Sequence, residues 1–176
     1  RHANDKCTPP ASPTLEGIDV ALRAADDGAS LVRLSAGELG GVAGPGSTHT
    51  PISLAHATVP TGAQLSVAWR SDYNALVYVL AGQGTVGLER RPLRTGQLAV
   101  LGAGDRLTVT ADAQQESRAP ALEVLLLGGK PLREPMAQYG PFVMNTRDEL
   151  RQAVEDFQAG KLGVVPPTAL MPHTPG

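Results

Sequence analysis

Apolar and polar residues alternate along most of the chain in short runs, and a turn signal closes nearly every run. From Ala29 to Ala36, Val32 and Leu34 are offset from Leu31, Arg33 and Ser35. Ile52 to Val59 follows Pro51 and stops at Pro60, and Gln64 to Trp69 follows Gly62. Ala75 to Leu80 is almost wholly apolar and ends at Ala81-Gly82; Thr85 to Glu89 follows Gly84. Gln97 to Leu101 and Arg106 to Ala111 flank Gly102 and Gly104, and Leu122 to Leu127 ends at Gly128-Gly129. Period-2 runs of this length, each bounded by a turn, predict an antiparallel sandwich or barrel.

One segment follows a different period. Thr146-Arg147-Asp148-Glu149 reads as a capping box, in which the Thr side chain and the Glu three residues on satisfy each other's backbone N–H groups. Leu150, Ala153, Val154 and Phe157 then recur at i, i+3, i+4 and i+7, which is one apolar helical face. Gly160 stands where a left-handed stop is expected, and Lys161 suits the negative helix end. The prediction is a helix over 146–160 packed on the barrel, with Phe157 buried against the sheet. Residues 1–17, with Pro9, Pro10 and Pro13, read as an arm or linker, 18–145 as the barrel, and 161–176 as a Pro-rich tail.

Composition sharpens this picture. The chain has 20 Gly and 15 Pro among 176 residues, which disfavours a coiled coil or helix bundle. Aromatic residues are only 3%, so Val, Leu and Thr carry the strands. A net charge of -2 gives no general attraction for nucleic acid. Arg90, Arg91 and Arg94 form the one basic spot and read as a solvated turn. A single cysteine, Cys7, excludes an internal disulfide and a cysteine metal cluster. No run approaches the length a membrane helix needs. The chain is expected to be soluble and cytoplasmic. It begins at Arg1 rather than Met, so a preceding segment is expected.

Two glycine-spaced stretches, Gly62 to Gly84 and Leu93 to Asp105, resemble the two motifs of a cupin β-barrel. The string from Leu125 to Gly163 is more specific. Gly129, Pro131, Glu134, Pro135, Tyr139, Gly140, Pro141, Phe142, Val143, Met144, Asn145 and Thr146 resemble the C-terminal signature of the pirin family. Gly37-Glu38, Gly40-Gly41, Gly44-Pro45 and Thr50-Pro51-Ile52 are similar to the family's inter-strand loop, and Asp5 to Pro10 to its inter-domain linker. The resemblance implies a jelly-roll cupin with one C-terminal helix, the second half of a bicupin. It also implies that Fe(II) belongs to an N-terminal cupin absent from this chain, with none bound here. The implied partners are that N-terminal cupin, or a second copy through the docking face left exposed, and other proteins through a co-regulator-like role. The implied parent activity is of the quercetin 2,3-dioxygenase type.

The residues themselves can be asked about a metal. A cupin iron site needs imidazoles and a carboxylate converging inside the barrel. Aligning the Val77-Tyr78-Val79-Leu80 run with the metal-cupin pattern puts Ala68 and Arg70 at the two His positions and Asn74 at the Glu position. A shift of one residue gives Val67 and Trp69, which cannot ligate either. His2 and His173 fall in the chain ends and His49 in a loop. His56 lies in a predicted strand and is read as a histidine with a hydrogen-bond partner. Glu123 is read as a solvent-facing or edge residue rather than a general base. No nucleophile elbow is present, and the Gly37-to-Gly46 stretch has no Lys and opens no helix, which argues against phosphate binding. No residue of this chain is assigned a catalytic role. The readings left open are a supporting cupin half, part of an iron oxygenase, and a small-ligand barrel.

Overall fold

A computed structural model describes residues 21–24, 29–115 and 120–163. The arm with His2 and Cys7, and the Pro-rich tail beyond 163 with His173, lie outside them. Two compact units divide the described chain between Leu132 and Arg133.

The first unit contains two facing sheets. One has six strands: β1 (Ala21–Ala24), β2 (Leu31–Ala36), β5 (Ile52–Pro60), β12 (Ala121–Gly129), β7 (Asn74–Ala81) and β10 (Leu98–Leu101), in that spatial order. The other has four: β6 (Gln64–Ala68), β11 (Arg106–Ala111), β8 (Gln83–Val86) and β9 (Arg91–Arg94). All these pairings are antiparallel. Between β2 and β5 a small hairpin, β3 (Glu38–Leu39) with β4 (Val42–Ala43), occupies the glycine-rich loop. This is the antiparallel barrel that the alternation predicts, in the jelly-roll cupin form that the resemblance implies.

Register and core are one fact here. Val124 lies opposite Ala57 on one side and Val79 on the other, and Leu126 opposite Ala55 and Val77. These positions are at most 1% exposed. On the second sheet, Val109 lies opposite both Leu65 and Val86, and all three are buried. Because side chains alternate with period 2, a slip of one residue would turn each row to solvent. Each fully buried Leu or Val contributes about 1.5–3 kcal/mol relative to exposure.

Close approach between the sheets fixes two glycines. A Cβ at Gly84 would sit 2.2 Å from the Thr110 carbonyl oxygen and 2.8 Å from Leu122 Cδ2, which reaches over from the opposite sheet. A Cβ at Gly128 would sit 2.1 Å from the Asn74 carbonyl oxygen and 2.5 Å from Trp69 Cζ2.

Several elements differ from the sequence reading. β8 starts and ends earlier than predicted, because Gly87 at φ 74° and Arg90 at φ 49° turn the chain. Arg91 and Arg94 then stand on strand β9 rather than in a turn, with Leu93 between them against the core. The short strands β1, β3, β4 and β9 carry too little alternation to be seen in the sequence.

The second unit holds β13 (Ala137–Tyr139), β14 (Phe142–Met144) and α1 (Arg147–Gln158). The hairpin therefore belongs with the helix and not with the barrel. Thr146 caps α1 as predicted: its Oγ1 accepts from Glu149 N at 3.2 Å, while Glu149 Oε2 accepts from Thr146 N at 3.1 Å. Leu150 and Ala153 are buried. Phe157 corrects the prediction. It is 63% exposed, and its ring meets Phe142 edge-on at 5.9 Å, because it sits on the last turn, beyond the two buried positions.

The Gly128 contact gives the first prediction. Gly128→Ala should destabilise the chain by about 1–3 kcal/mol, the cost of overpacking, and shift the emission of Trp69, as read by urea unfolding monitored by fluorescence.

Candidate functional site

Trp69 follows β6 directly and is 8% exposed. Its backbone N–H donates to the Asp105 carbonyl at 2.8 Å, and its indole Nε1 donates to the Asn74 carbonyl at 3.4 Å. Alternation along β6 sends Leu65, Val67 and Trp69 into the barrel, and along β7 it sends Ala75, Val77 and Val79. Ala68, Arg70 and Asn74 are exposed. The barrel thus adopts the register shifted by one from the alignment that placed Ala68, Arg70 and Asn74 at ligand positions. The hydrophobic row decides it, since Leu65 and Val67 can be buried only that way.

The inward positions are hydrocarbon and indole. None can coordinate a metal ion, so these residues do not fit an iron centre. Among the described residues no three of His, Cys, Asp and Glu gather to hold a metal ion.

Two polar constellations remain. The first is a cleft of about 240 Å³ at the barrel end closed by Trp69. Leu39, Trp69 and Tyr73 form its apolar walls, and Glu38, Ser53 and Arg70 bring polar groups to it. The turn Gly40-Gly41, at φ 57° and 79°, forms its lip. Ser53 is 5% exposed, and its Oγ donates to the Glu38 carbonyl at 3.1 Å, which pins β3 over the start of β5. A Cβ at Gly37 would sit 1.9 Å from the Ile52 carbonyl oxygen, so the loop packs this tightly only with glycine there.

Arg70 is held on two sides. Its Nε and Nη2 donate to the two carboxylate oxygens of Asp72, each at 3.1 Å, and its guanidinium lies 4.8 Å from the Tyr73 ring centroid. The Asp72 hydrogen bonds raise the Arg70 pKa, and the Arg70 hydrogen bonds lower that of Asp72. Both groups are open to solvent, so the pair is a geometric fixture more than a source of stability.

The second constellation lies on the outer face of the six-stranded sheet. His56 Nε2 is 2.5 Å from Glu123 Oε2. Thr58 Oγ1 donates to the same oxygen at 3.0 Å, and Arg33 Nη1 donates to Thr58 Oγ1 at 3.1 Å. His56 therefore has a partner. Glu123 faces outward but stands on a central strand, not an edge, because β12 is paired on both sides. Around this row the outer face is apolar: Leu54, Leu76, Tyr78, Leu125 and Leu127 are half-buried. Leu98 and Val100 are 51% and 74% exposed.

The signature residues from Glu134 to Thr146 gather in the second unit. Asn145 Nδ2 donates to the Pro135 carbonyl at 2.9 Å and to Glu134 Oε2 at 3.3 Å. Asn145 N donates to Glu149 Oε2 at 3.0 Å, next to the Thr146 cap. Gly140, at φ 54°, and Pro141 make the hairpin turn between Tyr139 and Phe142. Glu134, Pro135, Tyr139, Gly140, Pro141, Phe142, Asn145 and Thr146 thus lie along one hairpin-to-helix frame. Tyr139 is 71% exposed.

Comparison with known proteins now adds a decisive fact. The model of the pirin C-terminal cupin domain matches residues 54–163. The chain belongs to the pirin family. It is 37% identical to a pirin-like protein of Solanum lycopersicum over 142 residues, 80% of this chain and 47% of that one. It is 31% identical to pirin-1 of Arabidopsis thaliana over 163 residues, 92% of this chain and 55% of that one. The crystal structure of a quercetin 2,3-dioxygenase from Acinetobacter baumannii superposes with a TM-score of 0.81 at 30% identity, covering 94% of this chain and 55% of that one. The pirin chain described here therefore spans about half the length of the curated relatives it matches.

Sequence reasoning missed Glu38, Ser53, Asp72 and Tyr73. They come from three segments more than ten residues apart, β3, the start of β5 and the turn before β7, and no spacing rule joins them. The glycine pairs at 37–46 were the available signal. No described helix is long and apolar enough to cross a membrane.

The Arg70–Asp72 pair is testable by titration. The folded-state pKa of Asp72 lies below the ordinary carboxylate value, so its contribution is present above that value and is lost as pH falls through the Asp72 midpoint. Arg70→Gln should raise that midpoint toward the ordinary value, as read by carbon-detected NMR of the side-chain carboxyl.

Proposed function

We propose that this chain is the metal-free C-terminal half of a pirin. It holds and orients an N-terminal cupin that carries Fe(II) and whatever oxygen chemistry the whole protein performs. One observation supports the reading: the inward positions of β6 and β7, Leu65, Val67, Ala75, Val77 and Val79, and Trp69 after β6 are buried in an apolar core and offer no metal-ligating side chain. The likeness to a quercetin 2,3-dioxygenase supports an iron oxygenase as the whole protein, with the metal chemistry outside this chain.

The outer face of the six-stranded sheet is the docking surface for that N-terminal cupin. Leu98 and Val100 form its exposed edge, and His56, Glu123, Thr58 and Arg33 form a polar row within it that fixes orientation. An apolar sheet face of this kind marks an interaction surface. The half-length match to relatives supports the other half of the same protein as the occupant we propose. Such a protein works in the cytoplasm and contacts neither nucleic acid nor membrane directly; further protein partners would bind the assembled pair.

Two measurements test this. Purified anaerobically with excess Fe(II) and desalted, the chain should retain less than about a tenth of an equivalent of iron by elemental analysis, as expected of a site with no ligand side chains. Stoichiometric retention overturns the reading. Co-expressed with the N-terminal half of the tomato relative, the chain should copurify as a one-to-one complex, and Leu98→Lys with Val100→Lys should abolish it. A homodimer broken by the same substitutions would overturn the N-terminal cupin as the occupant.

A further inference from the structure

The cleft beside Trp69 combines apolar lining residues with residues of opposite charge. Apolar walls of Leu39, Trp69 and Tyr73 enclose a space large enough for a molecule of amino-acid size. Glu38 and Arg70 are both among its lining residues. Glu38 is exposed and forms no ion pair among the described residues. Asp72 grips Nε and Nη2 of Arg70 and leaves Nη1 uncommitted. The cleft therefore offers an anionic group, a positioned cationic donor and an apolar body between them. Pockets that combine apolar walls with a few convergent polar groups are the usual form of a small-molecule site.

We propose that this cleft binds a free α-amino acid with an apolar side chain. The α-carboxylate meets Arg70 Nη1, the α-ammonium meets Glu38, and the side chain lies against Trp69 and Tyr73. A purely anionic ligand would be repelled by Glu38 and a purely cationic one by Arg70, so the pair selects a dipolar molecule. This site is separate from the docking face and does not depend on the pairing with an N-terminal cupin.

Trp69 is the single tryptophan of the chain, so its fluorescence reports on the cleft without labelling. The experiment titrates the 176-residue chain with L-leucine, with 4-methylpentanoate, which lacks the amine, and with isoamylamine, which lacks the carboxylate. Leucine should give a saturable change, and each analogue should bind about tenfold more weakly, the loss expected for one charge-assisted hydrogen bond. Glu38→Gln should weaken leucine about tenfold and leave 4-methylpentanoate unweakened; Arg70→Gln should weaken both acids and spare isoamylamine. Should Arg70→Gln disturb the turn that carries it, Glu38→Gln still decides, because Glu38 is exposed. No saturable response to leucine, equal binding of leucine and 4-methylpentanoate, or indifference to Glu38→Gln would each overturn the proposal.

Discussion

The indole of Trp69 lies across one end of the barrel, and the backbone of Gly128 leaves it room. A Cβ at Gly128 would press on the ring and on the Asn74 carbonyl together, so the plug and the last turn of β12 are a single packing decision. Everything at that end follows from it. With Trp69 inward, its neighbours Ala68 and Arg70 must be outward, because a strand alternates. Arg70 then meets Asp72 and Tyr73 on the short turn to β7, and the glycine-rich loop closes over them to form a cleft. The same indole donates to the Asn74 carbonyl, so the polar tip of a large apolar ring is not left unsatisfied inside.

Alternation also shapes the opposite side of the sheet. A one-sided antiparallel sheet normally shows polar residues to water. Here β7, β10 and β12 place Leu76, Tyr78, Leu98, Val100, Leu125 and Leu127 outward as well, so their sequence reads as almost continuous apolar runs. That is the pattern of a sheet covered on both faces. The four-stranded sheet behaves differently: its outward positions include Gln64, Ser66, Thr85, Thr108 and Thr110, and Gln64 Nε2 donates to Thr110 Oγ1 at 3.1 Å. The two sheets of one barrel thus differ on their outer faces, one apolar and one polar.

Strands with an interior row were legible from the sequence, because burial imposes period 2 on them: β2, β5, β6, β7, β11 and β12 were all visible. So were α1 and its cap, since Thr146 and Glu149 stand at the spacing that the hydrogen bonds require. The hairpin β13–β14 was visible only as a family resemblance; each strand is three residues long and alternation needs more. Phe157 misled because a helical stripe names a face but not how far along the helix the covering surface extends. The site was the least legible part. Arg70 could be singled out by alignment, but with the wrong face, since a motif fixes spacing and only the buried row fixes register.

A barrel that lines its interior with imidazoles and a carboxylate carries a conditional core. Without the ion, those groups are buried or half-buried polar atoms whose desolvation goes uncompensated, and the metal becomes part of the folding energy. This chain has hydrocarbon at the corresponding depth. Val67 and Leu65 pair across to Leu107 and Val109, and Ala75 and Val77 to Leu101 and Ala99, so these rows are held by apolar contact. The described core of this barrel contains no ion-ligating row. The division of labour proposed above, with the metal on an N-terminal cupin, rests on that difference in core chemistry.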